Sequence, residues 1–214
     1  MGETYLIMHD PDFKYTKATL SELQTKAAKN DAYAMNALAW RLAHGEGVAV
    51  DGAESRRWYA RSAALGNAEG LYNLGVSHVN GDFGKIDPAE ACRLWRQAAA
   101  KNHYAALCNL AISYFHGNGV PQDYGLAREW CLRSANTDEP MAMGLMGQFY
   151  HLGLGVPVDK TEALAWYVLA SEQSDRTAVP MMNLLRELTP AQQSSARARA
   201  EVLRRSIKRT PYLD

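Results

Sequence analysis

Three cysteines in 214 residues are too few for a disulfide scaffold. Cys92, Cys108 and Cys131 also cannot all pair with one another, which suits a reducing compartment. Net charge is missing as well: 23 basic side chains stand against 23 acidic ones, so there is no long-range steering and recognition must rest on shape and apolar contact. No apolar run approaches the roughly 20 residues that a bilayer helix needs, so a membrane span is not expected. The early sequence has no basic stretch, its first lysine being Lys14, and only one short apolar run, Tyr5-Leu6-Ile7-Met8. Neither half of a secretory signal is present, and a cytoplasmic address is the expectation. With 47% apolar residues and balanced charge, the composition is that of a folded chain.

Signatures of chemistry are scarce too. The histidines at 9, 44, 78, 103, 116 and 151 include no His-Glu-x-x-His pair, and neither Cys-x-x-Cys nor a calcium-loop cluster occurs. Glycine-rich stretches such as Gly45-Glu46-Gly47-Val48 lack the Gly-Lys-Ser/Thr ending of a phosphate loop, and there is no Gly-x-Ser-x-Gly elbow. The expectation is no cofactor, no metal and no catalysis; a hydrolase of unknown type is the weakest reading.

What the chain does have is a rhythm of 36 residues. Gly45, Gly81, Gly117 and Gly153 keep that spacing, as do Asp51, Asp87, Asp123 and Asp159. Leu38, Leu74, Leu110 and Met146 form a third column, followed by Ala39, Gly75, Ala111 and Gly147. Another holds Trp58, Leu94, Trp130 and Trp166, followed by Tyr59, Trp95, Cys131 and Tyr167. Four tandem units span residues 32–175 without insertion or deletion, which is the mark of a repeat architecture.

Each unit reads as two helices. The first carries apolar residues at helical spacing, such as Ala106, Leu110 and Tyr114, and ends at the column glycine, which tolerates a left-handed cap. The aspartate then starts the second helix. Glu54, Glu90 and Glu162 follow three of the aspartates at capping-box distance. The Trp column, with Ser55, Ala91, Ala127 and Ala163 three residues before it, reads as large rings interlocked with small neighbours, hence as core. In the second unit Phe83 replaces a linker glycine, which predicts a reshaped linker.

Taken together, the leucine and glycine of the first helix, the Gly-x-Gly-Val-x-x-Asp linker and the Ala-x-x-Trp-Tyr run resemble the Sel-like repeat family. That family is a longer-period relative of the tetratricopeptide repeat. The resemblance implies an all-α fold, a right-handed α-solenoid of stacked antiparallel helix pairs. Residues 1–31 then form an N-terminal segment and capping half repeat, and 176–214 form C-terminal capping helices, with Thr189-Pro190 starting the longest. Cysteine-rich family members carry disulfides in every repeat; here the cysteines fall in different columns, and those members' properties do not carry over.

The resemblance also implies a concave face lined by the first helices. In the tetratricopeptide register its residues are Tyr33, Asn36, Trp40 and His44, then Tyr72, Val76 and Asn80, then Cys108, Ile112 and His116, then Gly144, Gln148 and Leu152. Trp40 stands out because its column elsewhere holds Val76, Ile112 and Gln148, so it is not part of the repeat's own pattern. It is either an interface anchor or packed against the N-terminal residues 1–20. His44 and His116 share a slot two units apart, too far to bind one metal at roughly 10 Å per helix pair. The expected partner is another protein, with no nucleic acid, membrane or metal. Bacterial family members serve as adaptors, signalling regulators or immunity proteins that block a toxin. An immunity protein is the preferred specific expectation, with a cytosolic scaffold or regulatory adaptor as the alternative. From Arg186 onward seven basic residues face three acidic ones. That stripe reads as the solvated face of a cap helix whose inner face is Ala196, Ala200, Leu203 and Ile207.

Overall fold

A computed structural model describes Tyr15 and residues 17–81, 84–135, 140–172, 174 and 178–207. Among these residues all regular structure is helical. The helices are α1 (Leu20–Ala28), α2 (Ala32–His44), α3 (Gly52–Ala64), α4 (Ala68–Asn80), α5 (Pro88–Ala99), α6 (Tyr104–His116), α7 (Tyr124–Ala135), α8 (Pro140–Leu152), α9 (Lys160–Ser171), α10 (Ala178–Glu187) and α11 (Pro190–Ser206).

The termini of these helices follow from the repeated residues. Gly45, Gly81, Gly117 and Gly153 all have positive φ, between 69° and 75°, a region that a side chain would strain. The amide of Gly45 bonds back to the Arg41 carbonyl, satisfying a group the helix leaves open. An aliphatic residue five positions on then covers the turn: a Cβ on Gly45 would stand 2.9 Å from Val50 Cγ2. This accounts for the exposure of Val50, Ile86 and Val158.

All four column aspartates cap the helix that follows. Asp51 accepts from the Glu54 amide, Asp87 from that of Glu90, Asp123 from that of Leu126 and Asp159 from that of Glu162. The glutamates turn outward to arginines, Glu54 to Arg57, Glu90 to Arg93 and Glu162 to Arg199. The reciprocal box is made instead at Thr19 and Thr189, which start α1 and α11. Linker closure is shared too: the amides of Asp51, Asp87, Asp123 and Asp159 each donate at 2.9 Å to the carbonyl nine residues back. The second linker therefore returns like the others, with Gly84 at φ 79°; Phe83 lies outside the described residues.

The chain forms two compact units. In the first, each helix packs on the next from α1 to α5, and α2 also touches α4. Ser55 Oγ reaches the Ala39 carbonyl and Ser62 Oγ, two turns later, reaches that of Ala32, two turns earlier, so α2 and α3 run antiparallel. Tyr15 closes the end of this core, its hydroxyl donating to Asp31 at 2.6 Å. In the second unit α7 packs on α8, α8 on α9, and α9 on both α10 and α11. The α11 face Ala196, Ala200 and Leu203 is buried.

The Trp column divides in two. Leu94 and Trp166 are buried, whereas Trp58 and Trp130 are half-buried beneath the guanidinium groups of Arg61 and Arg133. The next column, Tyr59, Trp95, Cys131 and Tyr167, is buried in all four repeats. Two of its three rings sit against glycines of the preceding first helix: a Cβ on Gly75 would meet Trp95, and one on Gly147 would meet Tyr167.

Candidate functional site

The first helices carry very few ionised groups. Arg41 on α2 and Glu69 on α4 are the only Asp, Glu, Lys or Arg residues in α2, α4, α6 and α8. Charge sits instead on the second helices, such as α3 with Glu54, Arg56, Arg57 and Arg61. A surface made of first helices therefore offers aromatic, aliphatic and amide groups, which is the make-up of protein interface centres.

On α2 the residues at 33, 40 and 44 lie on one helical face. Tyr33 is 48% exposed, Trp40 is half-buried and His44 is exposed. The imidazole of His44 stacks on the indole of Trp40, with centroids 4.4 Å apart and planes 24° from parallel. Its Nδ1 lies 2.9 Å from the Trp40 carbonyl oxygen, so the helix itself holds the pair in register. Val76 and Ile112, the repeat equivalents of Trp40, are half-buried, and Asn80, the equivalent of His44, is exposed.

Asn36, Tyr72 and Cys108 are buried, as is their equivalent Gly144. This column faces neighbouring helices: the Asn73 amide of α4 donates to Asn36 Oδ1 at 3.2 Å. Only part of the expected set is therefore open to a partner. In the second unit His116 and Leu152 are exposed and Gln148 is half-buried, with His116 edge-on to Phe115. Of the N-terminal segment expected to compete for Trp40, residues 1–14 lie outside the described residues.

A polar relay that sequence reading missed crosses the first unit. Asn73 Nδ2 donates to Asn36 and to Glu69 Oε1, and Glu69 Oε2 lies 2.8 Å from His103 Nε2. The His103 and Glu69 side chains are 7% and 14% exposed. His103 also caps α6, its Nδ1 accepting the Ala106 amide, and stacks between Tyr72 and Tyr104. The missed signal was the cap column itself, Asp31, Asn67, His103, in which histidine replaces an ordinary cap.

All three cysteines are buried and none is in a disulfide, and burial pushes the Cys92 thiol up, away from the thiolate a nucleophile needs. Burial likewise pushes Tyr167 up to about 12. Among the described residues no group of three His, Cys, Asp or Glu side chains could hold a metal ion, and no helix is long and apolar enough to cross a membrane. On α11, Arg199 is tied to Glu162 and Arg204 to Glu172 and Glu201, so half of its four arginines are already matched by carboxylates. Lys208 and Arg209 lie outside the described residues.

Helix pairs, glycine notches and capping aspartates at a constant period define an all-α protein of the repeat-solenoid class. The chain belongs to the Sel1 repeat family, whose model matches residues 32–67, 68–103, 105–136 and 140–175. It is similar to the crystal structure of a Sel1 repeat protein from Oxalobacter formigenes, with 27% identity and a TM-score of 0.73 over 77% of this chain and 66% of that one. It also shares the fold of a protective antigen of uropathogenic Escherichia coli strains displaying an SLR fold, with 22% identity and a TM-score of 0.57 over 91% of this chain and 52% of the antigen. The chain thus spans less than two thirds of either protein. No curated protein matches it. Sel1 repeats generally mediate protein–protein interaction and are generally non-catalytic.

Proposed function

We propose that this chain is a non-catalytic protein-binding module whose contact surface is the face of α2 and α4 bearing Tyr33, Trp40, His44, Val76 and Asn80. The observation that carries this reading is the Trp40–His44 stack. Trp40 leaves an indole half-open in a column filled elsewhere by Val76, Ile112 and Gln148, so a large ring there is not part of the repeat's own pattern. Large aromatics of this kind carry most of the energy at protein interfaces. The partner is another protein, met through apolar and amide contacts.

The specific role we favour is that of an immunity protein that binds and neutralises a cognate toxin in the cytoplasm. Its support is the family resemblance together with three buried cysteines, none of them in a disulfide, which suit a reducing compartment. Co-expression with a toxin encoded beside it tests this role: restored growth is expected, and failure of rescue would leave a scaffold or adaptor as the role. The surface is tested separately on the captured partner. Trp40→Ala and Tyr33→Ala should each weaken affinity by about 1–3 kcal/mol with the unfolding midpoint unchanged; full affinity in both variants would remove the surface from the proposal.

A further inference from the structure

Two linker glycines make the same contact one repeat apart. A Cβ on Gly119 would stand 2.3 Å from the Pro88 carbonyl oxygen at the start of α5, and one on Gly155 would stand 3.1 Å from Tyr124 Cβ at the start of α7. Pro88 and Tyr124 are 36 residues apart, as are the two glycines, so in both cases a linker leans on the second helix of the repeat before it. The third linker is held to α5 a second time by the Cys92 thiol, which donates to the Asn118 carbonyl oxygen at 3.5 Å.

An asparagine precedes a glycine twice in the sequence, at Asn80-Gly81 and at Asn118-Gly119. Glycine has no side chain to shield its main-chain nitrogen, which can attack the carboxamide of the asparagine before it. Both asparagines are exposed, so exposure does not separate the two sites. The backbone does. Asn80 ends α4, and the Gly81 amide donates to the Ser77 carbonyl as the helix cap. Asn118 lies between α6 and α7, and among the described residues neither its carboxamide nor the Gly119 amide has a hydrogen-bond partner. The attacking nitrogen must first give up its proton, so an amide that already donates is held back and a free one is not.

We propose that Asn118-Gly119 is a self-modification site, at which loss of ammonia and uptake of water convert Asn118 to isoaspartate and loosen the hold of the third linker on α5. Solvent base takes the Gly119 amide proton, and the nitrogen attacks Asn118 Cγ. The N–Cγ bond forms, the Cγ–Nδ2 bond breaks, and ammonia leaves with a proton from solvent, closing a cyclic imide. Water then opens the ring. Attack at Cγ gives aspartate with the main chain as before. Attack at the Asn118 carbonyl carbon breaks its bond to the Gly119 nitrogen, and the chain then runs through Cβ and Cγ. That route adds one methylene to the main chain beside a glycine that has no room to spare against Pro88. Either product adds one negative charge to a chain whose charges balance.

Ageing the intact protein tests both halves of this. The protein is held at mildly alkaline pH and sampled over time; ion exchange separates the more acidic product, and peptide mass spectrometry locates the change. Conversion at Asn118 should outrun conversion at Asn80 by about fivefold to tenfold, the factor that one intact hydrogen bond holds back. Asn118→Ser should remove the corresponding acidic peak. The isoaspartate fraction should unfold at lower urea than fresh protein, while Asn118→Asp, which has the charge without the extra methylene, should keep the fresh midpoint. Equal rates at the two asparagines, or no conversion at Asn118, would overturn the site. An isoaspartate fraction no less stable than Asn118→Asp would overturn its effect on the linker.

Discussion

The indole nitrogen of Trp95 donates to the Tyr72 carbonyl oxygen at 3.2 Å, and that same nitrogen lies 2.5 Å from where a Cβ on Gly75 would stand. One glycine in α4 thus leaves both the space and the hydrogen-bond acceptor for a ring in α5. Tyr167 repeats the relation with Gly147, its Cε1 lying 2.4 Å from the corresponding point. At these distances the notch is a requirement of packing.

Gly75→Ala sets two effects against each other. Helix propensity alone favours alanine by about 1 kcal/mol, while displacing a buried indole and its hydrogen bond costs about 1–3 kcal/mol. We expect a net loss, read as a lower urea midpoint with an unchanged slope. A more stable variant would show that the notch does not constrain packing.

Tyr167 links stability to alkaline pH. Its folded pKa is raised from 10 to about 12 by burial, so the folded state holds the proton more tightly than the unfolded one. The stabilisation is complete below pH 10 and is lost as pH rises toward 12. Tyr167→Phe should therefore lose less stability than wild type between pH 9 and 11; parallel pH profiles would contradict the burial of this hydroxyl.

Capping by the column aspartates predicts that Asp51→Ala and Asp87→Ala each lower stability by about 1 kcal/mol, whereas the asparagine variants lose much less. Thermal unfolding of the four variants checks this. Equal losses for alanine and asparagine would mean that the side-chain acceptor is not what matters.

Burial of the three thiols predicts slow chemistry. A disulfide exchange reagent should leave Cys92, Cys108 and Cys131 unmodified in the native protein and titrate all three after unfolding. Fast native labelling of any one of them would show that it is open to solvent.

The fold was legible because the information repeats. Column glycines and aspartates act through local backbone geometry, so their roles as caps are readable from spacing alone, and Asp123 caps without the glutamate that marks the other three. The choice between neighbouring columns was not readable in the same way. Trp58 and Tyr59 are adjacent on one helix, about 100° apart, and which of them faces inward depends on how α3 packs on α2 and α4. Asn36 and Trp40 posed the same problem on α2, and the relay from Asn36 to His103 joins residues far apart in the chain.

The amino-acid order by itself determined the helix pairs, their period, their caps and the scarcity of charge on the first helices. These depend on hydrogen bonds and turns made within a few residues, where each side chain's effect is the same in every repeat. Only the tertiary structure decided which rings fill glycine notches, which aromatic stays open on α2, and that a histidine serves two repeats at once. Those outcomes depend on the angle at which one helix meets the next, and a rotation of a fraction of a turn exchanges a buried column for an exposed one.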